Sequence, residues 1–434
     1  MKLTRREMIF GFTATSVFLV SKYGMHPVKA MIANNTEQES IYQEFLQAAA
    51  GGVEDKPVLF YQGIKTSPYQ NQINDYPLRL KQKPNGKTLI DGTKADTTFR
   101  PYPAVGKLPK INEEGLLFLH EDIKEACICV GSFSGGSFKA RWLGRNALNN
   151  DQFWSATKFI TLLHTANLLN QKLPGTDIAY YNIKGLDQDK NQRNLSFTDL
   201  ARDMISYEEN IATSNALGGM FKKFTPQIAL ETWLKSITGN HELVLRGKYG
   251  ENPFIEAPQL IKRITNQLIL TPDLTPPEWG SNTISAYDLT RIISMLGWHN
   301  YLPQNSQLPF ISHKSLDTII KSMGTDPARL TDLAIKKLGL ENALDSVVII
   351  SKLGNGATST KERTEAVYVA LIQFIDRRPQ AFKKPAKLFT LSMALRGASS
   401  LKPRNLDREV VELDARMATE VTEIIKRTIL GILA

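Results

Sequence analysis

"FWSATKFI", residues 153–160, sets Ser155 three positions ahead of Lys158. It opens an apolar run in which Phe159, Leu162, Leu163, Ala166 and Leu169 repeat with helical spacing. One turn of helix puts Ser155 and Lys158 on the same face, within reach of each other. The first turn also carries unpaired backbone N–H groups and the positive end of the helix dipole. A lysine held there and partly desolvated loses its proton near neutral pH, and can then accept that of the serine hydroxyl. A plain capping serine would occupy the same position. Spacing alone does not choose, because Ser399 and Lys402 in "SSLK" repeat it in a loop-like stretch. The rest of the chain has to decide.

Upstream, "LLFLH" (116–120), "EACICVGSF" (125–133) and "FKARWLG" (138–144) read as strands, the last two joined as a hairpin by the turn signal "SGG". Downstream, "SFTDLARDMI" and "SAYDLTRIISML" each begin with a serine three residues before an aspartate, Ser196/Asp199 and Ser285/Asp288, which is capping-box spacing. "TPQIALETWLKSI" lies between them as a further amphipathic helix. Strand character returns at "SVVIISKLGNG" (346–356), "TEAVYVALIQFI" (364–375) and "AKLFTLSMAL" (386–395). A long amphipathic helix, "DREVVELDARMATEVTEIIKRTILGIL", follows. Strands at both ends and helices between them predict an α/β (α+β) fold. Its antiparallel sheet is built from N- and C-terminal segments and flanked by helices, with an all-helical domain inserted over about 155–345.

Two further segments carry chemistry. "MISYEEN", 204–210, runs into "IATSNALGG", and "SKLGNG", 351–356, places Lys352 on a strand. Taken in order with Ser155-x-x-Lys158, they make the chain from about 115 to 434 similar to the class A β-lactamases and related penicillin-binding serine hydrolases. The resemblance implies an acylated nucleophile at Ser155, with Lys158 as base or relay and Asn210 as substrate-amide ligand. It implies Lys352 as anchor for a substrate carboxylate, and an oxyanion hole from the Ser155 and Asn355 N–H groups. Gly354 would let the strand approach substrate without a side chain in the way. Two departures stand out. Glu208 occupies the family's proton-shuttling serine position, so that Glu208 either relays protons or quenches Lys158 or Lys352, while Tyr207 is one position out of register for a tyrosine version. "LRGKYGENPFIEAPQ" lacks the family's deacylating glutamate pattern and offers Glu251 as the candidate base, which predicts slow deacylation. Leu353 replaces a family threonine, with its side chain turned away from the cleft by strand alternation. The implied activity is hydrolysis of a β-lactam, peptide or ester through an acyl-serine; the alternative is an idle relative used for binding in the cell envelope.

The 434 residues are 42% hydrophobic, enough for a large core. Of the net charge of +10, residues 1–30 contribute +4, leaving +6 over 404 residues with no Lys/Arg-rich run or zinc-finger spacing, so no nucleic-acid partner is expected. "MKLTRREMIFGFTATSVFLV" pairs adjacent arginines with a short apolar run, and "VKA" offers a cleavage site after Ala30. This resembles a twin-arginine signal and implies a periplasmic or other extracytoplasmic location, with no stable membrane span after its removal; the alternative is an uncleaved anchor helix. The expected organisation is signal 1–30, an extension 31–112 of unassigned role, and a catalytic domain 113–434. Within the extension, "TEQESIYQEFLQAAAGG" reads as a glycine-terminated helix. Cys127 and Cys129, two apart on a strand, point the same way and suit a core better than a disulfide. There is no Gly-x-Ser-x-Gly elbow, and neither His120 nor His241 completes a His-Glu-x-x-His zinc motif. His164 reads as structural and Trp154 as core or cleft wall. No metal or organic cofactor is expected, the substrate is a small molecule or peptide, and the oligomeric state is not legible.

Overall fold

The computed structural model describes residues 27–51, 58–93, 97–245, 249–275, 282–358 and 361–433. The twin-arginine stretch therefore lies outside the described residues. Two units are distinguished, residues 1–40 and 41–434. A helix, Pro27–Ala49, begins in the first; Ala50 and Gly51 end it in a turn, as the glycine predicts.

The second unit is organised by a sheet that contains, among the described residues, eight strands. Its order runs Leu344–Thr358, Arg363–Asp376, Ala386–Ser399, Ile123–Ser134, Ser137–Arg145, Arg100–Pro101. The first five pair antiparallel in sequence-distant fashion, the N-terminal hairpin joining the C-terminal strands through Leu391↔Val130 to Gly397↔Ile123. Gly135 and Gly136 turn that hairpin with φ of 58° and 78°, the left-handed pair that a two-residue connection needs. Both faces of the sheet are covered. Cys127, Cys129, Val367, Val369 and Leu371 pack on one face with the helices Lys158–Lys172, Phe197–Ser206 and Ala286–Gly297. Ile128, Val130, Tyr368, Ala370 and Ile372 pack on the other with the long helix Leu406–Ile429. Double coverage is why the strand Arg363–Asp376 is buried almost throughout and runs apolar without alternation over 366–372. The two cysteines are buried and unpaired, and burial pushes both thiols up.

The predicted helices of the inserted region are present. Ser285 and Asp288 form the full reciprocal cap, and Ser196 accepts from the Asp199 N–H. Such a cap contributes about 1 kcal/mol. The region is not all-helical, because two small antiparallel sheets lie among the helices. One is formed by Tyr181–Leu186, Gln192–Ser196, Gln259–Lys262 and Leu268–Leu270, the other by Asn150–Gln152, Val244–Leu245 and Asn282–Ser285. Their strands, two to six residues long, carry no long apolar alternation for a sequence reading to find. Residues 58–112 are woven into the sheet unit: Leu89–Asp91 pairs parallel with Ala386–Leu388, Arg100–Pro101 and Ile111–Asn112 flank the strand Ser137–Arg145, and Phe60 and Tyr76 are fully buried.

Candidate active site

Ser155 lies in a 3-10 turn, Trp154–Thr157, that runs straight into the helix Lys158–Lys172. Trp154 takes a left-handed φ of 47°, a conformation that persists in a bulky residue only where its surroundings enforce it. Here they do. The Trp154 indole N–H donates to Glu365 Oε2 at 2.7 Å. Glu365 is held by the buried Arg396 at 3.0 Å, and the same guanidinium reaches Asp151 and Glu125 at 2.6 and 2.8 Å. From the other side the strand Leu344–Thr358, which forms one end of the main sheet, closes on the turn. A Cβ at Gly356 would fall 2.6 Å from the Trp154 ring. One at Gly354 would fall 2.9 Å from the Phe153 carbonyl oxygen, 3.0 Å from the Ala156 nitrogen and 3.2 Å from the Ser155 nitrogen.

That last contact revises the reason for the glycine. The room left by Gly354 is taken by the backbone of the Ser155 turn and not by substrate. The same strand orients Asn355. The Leu353 N–H donates to Asp326 Oδ1 at 3.3 Å, away from the neighbouring strand, so strand alternation directs the Asn355 N–H off the same free edge. Leu353 itself is buried on the face of the long C-terminal helix.

Two lysines are fully buried beside this turn. Lys158 Nζ donates to Asn215 Oδ1 at 2.6 Å and to Ser214 Oγ at 3.0 Å, both neutral acceptors. Burial pushes its ammonium well below the ordinary lysine range and the Lys352 charge adds to this, while Glu251 and Glu209 oppose it. Lys352 Nζ faces Asp326 Oδ1 at 3.7 Å and donates to the Leu353 carbonyl at 3.3 Å. Burial lowers Lys352 to about 8 against the pull of Asp326, and burial raises Asp326 against the pull of Lys352. Lys352 is thus no open anchor for a substrate carboxylate: it is 0% exposed, enclosed by Asp326 and by the Tyr207 ring, whose centroid is 3.9 Å away.

Tyr207 joins the two. It ends the helix Phe197–Ser206 with φ 56°, a left-handed cap more usual for glycine. The reversed backbone turns its ring in toward Lys352 and, at 5.5 Å, Lys158. Burial raises the phenol, while hydrogen bonds with Ser155 and Ser214 lower it. This supplies the local shift that a tyrosine one position out of register requires.

The neighbouring residues fall elsewhere. Glu208 and Asn210 are exposed, Asn210 Nδ2 donates to Glu208 Oε2 at 2.9 Å, and the Asn210 N–H donates to Asp203. Neither is hydrogen-bonded to Ser155, Lys158 or Lys352; the amide bonded to Lys158 is Asn215, five residues on. The left-handed turn through Tyr207 and Glu209 (φ 55°) carries the chain outward before it re-enters at Thr213, which caps the helix Ser214–Lys222. Glu251 does reach this layer, accepting from Thr213 Oγ1 and, at 3.1 Å, from Asn215 Nδ2. Tyr249 stacks near Lys158, 5.3 Å from ring centre to Nζ, and its hydroxyl meets Thr157 Oγ1 at 3.0 Å.

Sequence reasoning missed Ser214, Asn215, Tyr249, Asp326 and Tyr61. The first two had a signal, a threonine cap opening "TSNALGG" just after the tyrosine motif. Asp326 and Tyr61 had none. Tyr61 comes from the N-terminal segment, donates to Asn355 Oδ1 at 3.3 Å and sets its ring edge-on to Tyr207 at 5.9 Å.

No family model and no curated protein matches the chain. Solved structures similar to it include a β-lactamase from Desulfarculus baarsii, with TM-score 0.39 and 14% identity over 70% of this chain and 93% of that one. A peptidoglycan synthetase from Bifidobacterium adolescentis is similar at TM-score 0.30 and 9% identity, over 70% of this chain and 57% of that one. At these scores the functional reading rests on the geometry of the site.

Proposed function

We propose that the protein is a serine hydrolase that forms an acyl-Ser155 intermediate with an ester or amide. The observation that carries this is the state of Lys158. A neutral amine has two N–H groups and one lone pair, and its two donated bonds to Ser214 and Asn215 leave that lone pair to accept a proton. Ser155 Oγ attacks the acyl carbon. Its proton passes to the Lys158 lone pair, while Tyr207, hydrogen-bonded to Ser155 and Ser214, holds the hydroxyl in place and stays protonated where burial disfavours a phenolate. The oxyanion is received by the Ser155 and Asn355 N–H groups. The bond to the leaving group breaks as the Lys158 ammonium gives the proton to it. Water then attacks the ester carbon and releases the acid from Ser155. Glu251, engaged by Thr213 and Asn215, is the candidate base for this second step, and its existing bonds favour acylation faster than deacylation.

The test is incubation with a small fluorophosphonate followed by intact-mass measurement. One adduct is expected on the wild type and none on Ser155→Ala. Absence of an adduct at high probe concentration sinks the enzyme reading in favour of a binding protein built on the same fold. The twin-arginine sequence supports an extracytoplasmic site of action; residues 1–30 fused to a reporter should export it, and retention in the cytoplasm would refute the signal.

A further inference from the structure

We infer that the segment Leu59–Gly63 restricts this site to short acyl groups without a carboxylate, and that Tyr61 is the residue setting the limit; this rests on the acyl-serine reading above. A strand at the end of a sheet ordinarily offers its outward N–H and C=O groups to an extended peptide. Here the outward pair next to the oxyanion position is already taken. The Leu353 N–H donates to Asp326, and the Leu353 carbonyl accepts from Lys352 Nζ. Strand addition by a substrate peptide would have to break both bonds, each buried, before gaining its own.

The N-terminal segment then covers that edge. Phe60 packs edge-on against Tyr368, on the core face of the C-terminal helix, at 6.4 Å. Its neighbour Tyr61 stands against Tyr207 at 5.9 Å, and the Tyr207 ring in turn faces Lys352. The segment is fastened at both ends. The Leu59 and Phe60 N–H groups donate to the two carboxylate oxygens of the buried Asp414 at 2.5 and 3.2 Å, and the Gly63 N–H donates to the Pro327 carbonyl at 3.2 Å. The Tyr61 hydroxyl is tied to Asn355, the residue whose N–H faces the oxyanion. A substrate carbonyl can reach that N–H, but an acyl chain continuing along the strand meets the Tyr61 ring. The cation that would reward a carboxylate is shut behind Asp326 and Tyr207.

The experiment is a series of p-nitrophenyl esters, acetate, butyrate, octanoate and succinate, together with an acyl-D-alanyl-D-alanine thioester, assayed on the full-length protein. In the wild type kcat/KM should fall from acetate to octanoate and be lowest for succinate and the peptide. In Tyr61→Ala the octanoate-to-acetate ratio should rise at least about tenfold, the scale on which a hydrophobic pocket discriminates chain length. Tyr61→Phe, which keeps the ring and loses the bond to Asn355, should retain the wild-type ratio. Because the readout is a ratio within each variant, a general loss of rate cancels. An unchanged ratio in Tyr61→Ala with Ser155 still acylated, or a wild type that prefers the peptide, overturns this inference alone. No Ser155 adduct with any ester or with fluorophosphonate overturns the acyl-serine reading, and the inference with it.

Discussion

Lys158 and Lys352 are buried to the same degree and both lie near one tyrosine ring, yet they meet opposite partners. Lys158 starts a helix and is surrounded by a hydroxyl, an amide oxygen and two aromatic faces. Lys352 sits on a strand and faces a carboxylate. Desolvation alone drives both toward the neutral amine. The difference is made by Asp326, which holds Lys352 at about 8 while Lys158 falls well below the ordinary range. Proximity also matters: two ammonium ions this close repel, so keeping the charge on Lys352 helps to expel it from Lys158. In the proposed mechanism one lysine thereby serves as the base and the other as its charged neighbour, from the same side chain.

The sharpest way to break this comparison is Lys158→Arg. A guanidinium keeps the charge and much of the length but does not deprotonate in a protein. If Lys158 acts as the neutral acceptor, fluorophosphonate labelling of Ser155 should slow by about 10²- to 10⁴-fold, the range associated with a general base. An arginine variant that labels at the wild-type rate would show that the residue works as a cation, and the contrast with Lys352 would collapse.

Next in size is Gly354→Ala. The added methyl meets three backbone atoms of residues 153–156, not flexible side chains, so the strand or the turn must move. A displacement of this kind between nucleophile and oxyanion donor costs about a hundredfold in rate. Labelling should fall by that amount while circular dichroism stays native. A variant with the wild-type rate would mean that the Asn355 N–H takes no part.

Asp326→Asn tests the other lysine. Removing the carboxylate removes the interaction that sustains the Lys352 ammonium, so Lys352 should titrate below its present value of about 8. Since a charged Lys352 favours proton loss from Lys158 and steadies Tyr207, the acylation rate should decline as pH rises through the Lys352 titration. In Asp326→Asn that decline should begin at lower pH, and nitrogen-15 spectra of labelled lysine should show the same displacement. An unmoved titration would mean that Asp326 does not govern Lys352.

Much of this was open to reading in the sequence, and the remainder was hidden for a physical reason. The paired serine–aspartate caps, the glycine-turned hairpin and the three long apolar strands are local signals, each settled by residues a few positions apart. Ser155, Lys158, Lys352 and Asn355 belong to such local patterns as well. Glu208 and Asn210 misled because a left-handed turn at Tyr207 sends their side chains outward, and no composition rule marks a tyrosine as a left-handed cap. Tyr61 and Asp326 were illegible because their significance is wholly tertiary: Tyr61 meets Asn355 across 294 positions, and Asp326 meets Leu353 across 27. The segment 58–112 has no period because its side chains fill gaps on an existing sheet instead of forming a face of their own.

Asp414 extends the comparison from bases to acids, with the smallest expected effect. Like Lys158, it is buried among neutral partners, the Leu59 and Phe60 N–H groups, and like Lys158 it is driven toward its uncharged form, here upward from 3.8 to about 8 by burial, against the pull of the two N–H bonds. An acid whose folded value exceeds its unfolded value binds more protons in the folded state. Its contribution to stability is therefore fully present below pH 3.8, declines as pH rises beyond that, and is lost by about 8. Asp414→Asn removes the titration but leaves one N–H facing an amide nitrogen, an unsatisfied donor worth about 1–3 kcal/mol. Chemical denaturation across this window should then show a variant that is less stable at low pH and whose stability varies less with pH than that of the wild type. A variant whose pH dependence parallels the wild type would mean that Asp414 is ionised in the fold, and that two backbone N–H groups suffice to hold a buried carboxylate charged where a hydroxyl and an amide did not hold an ammonium.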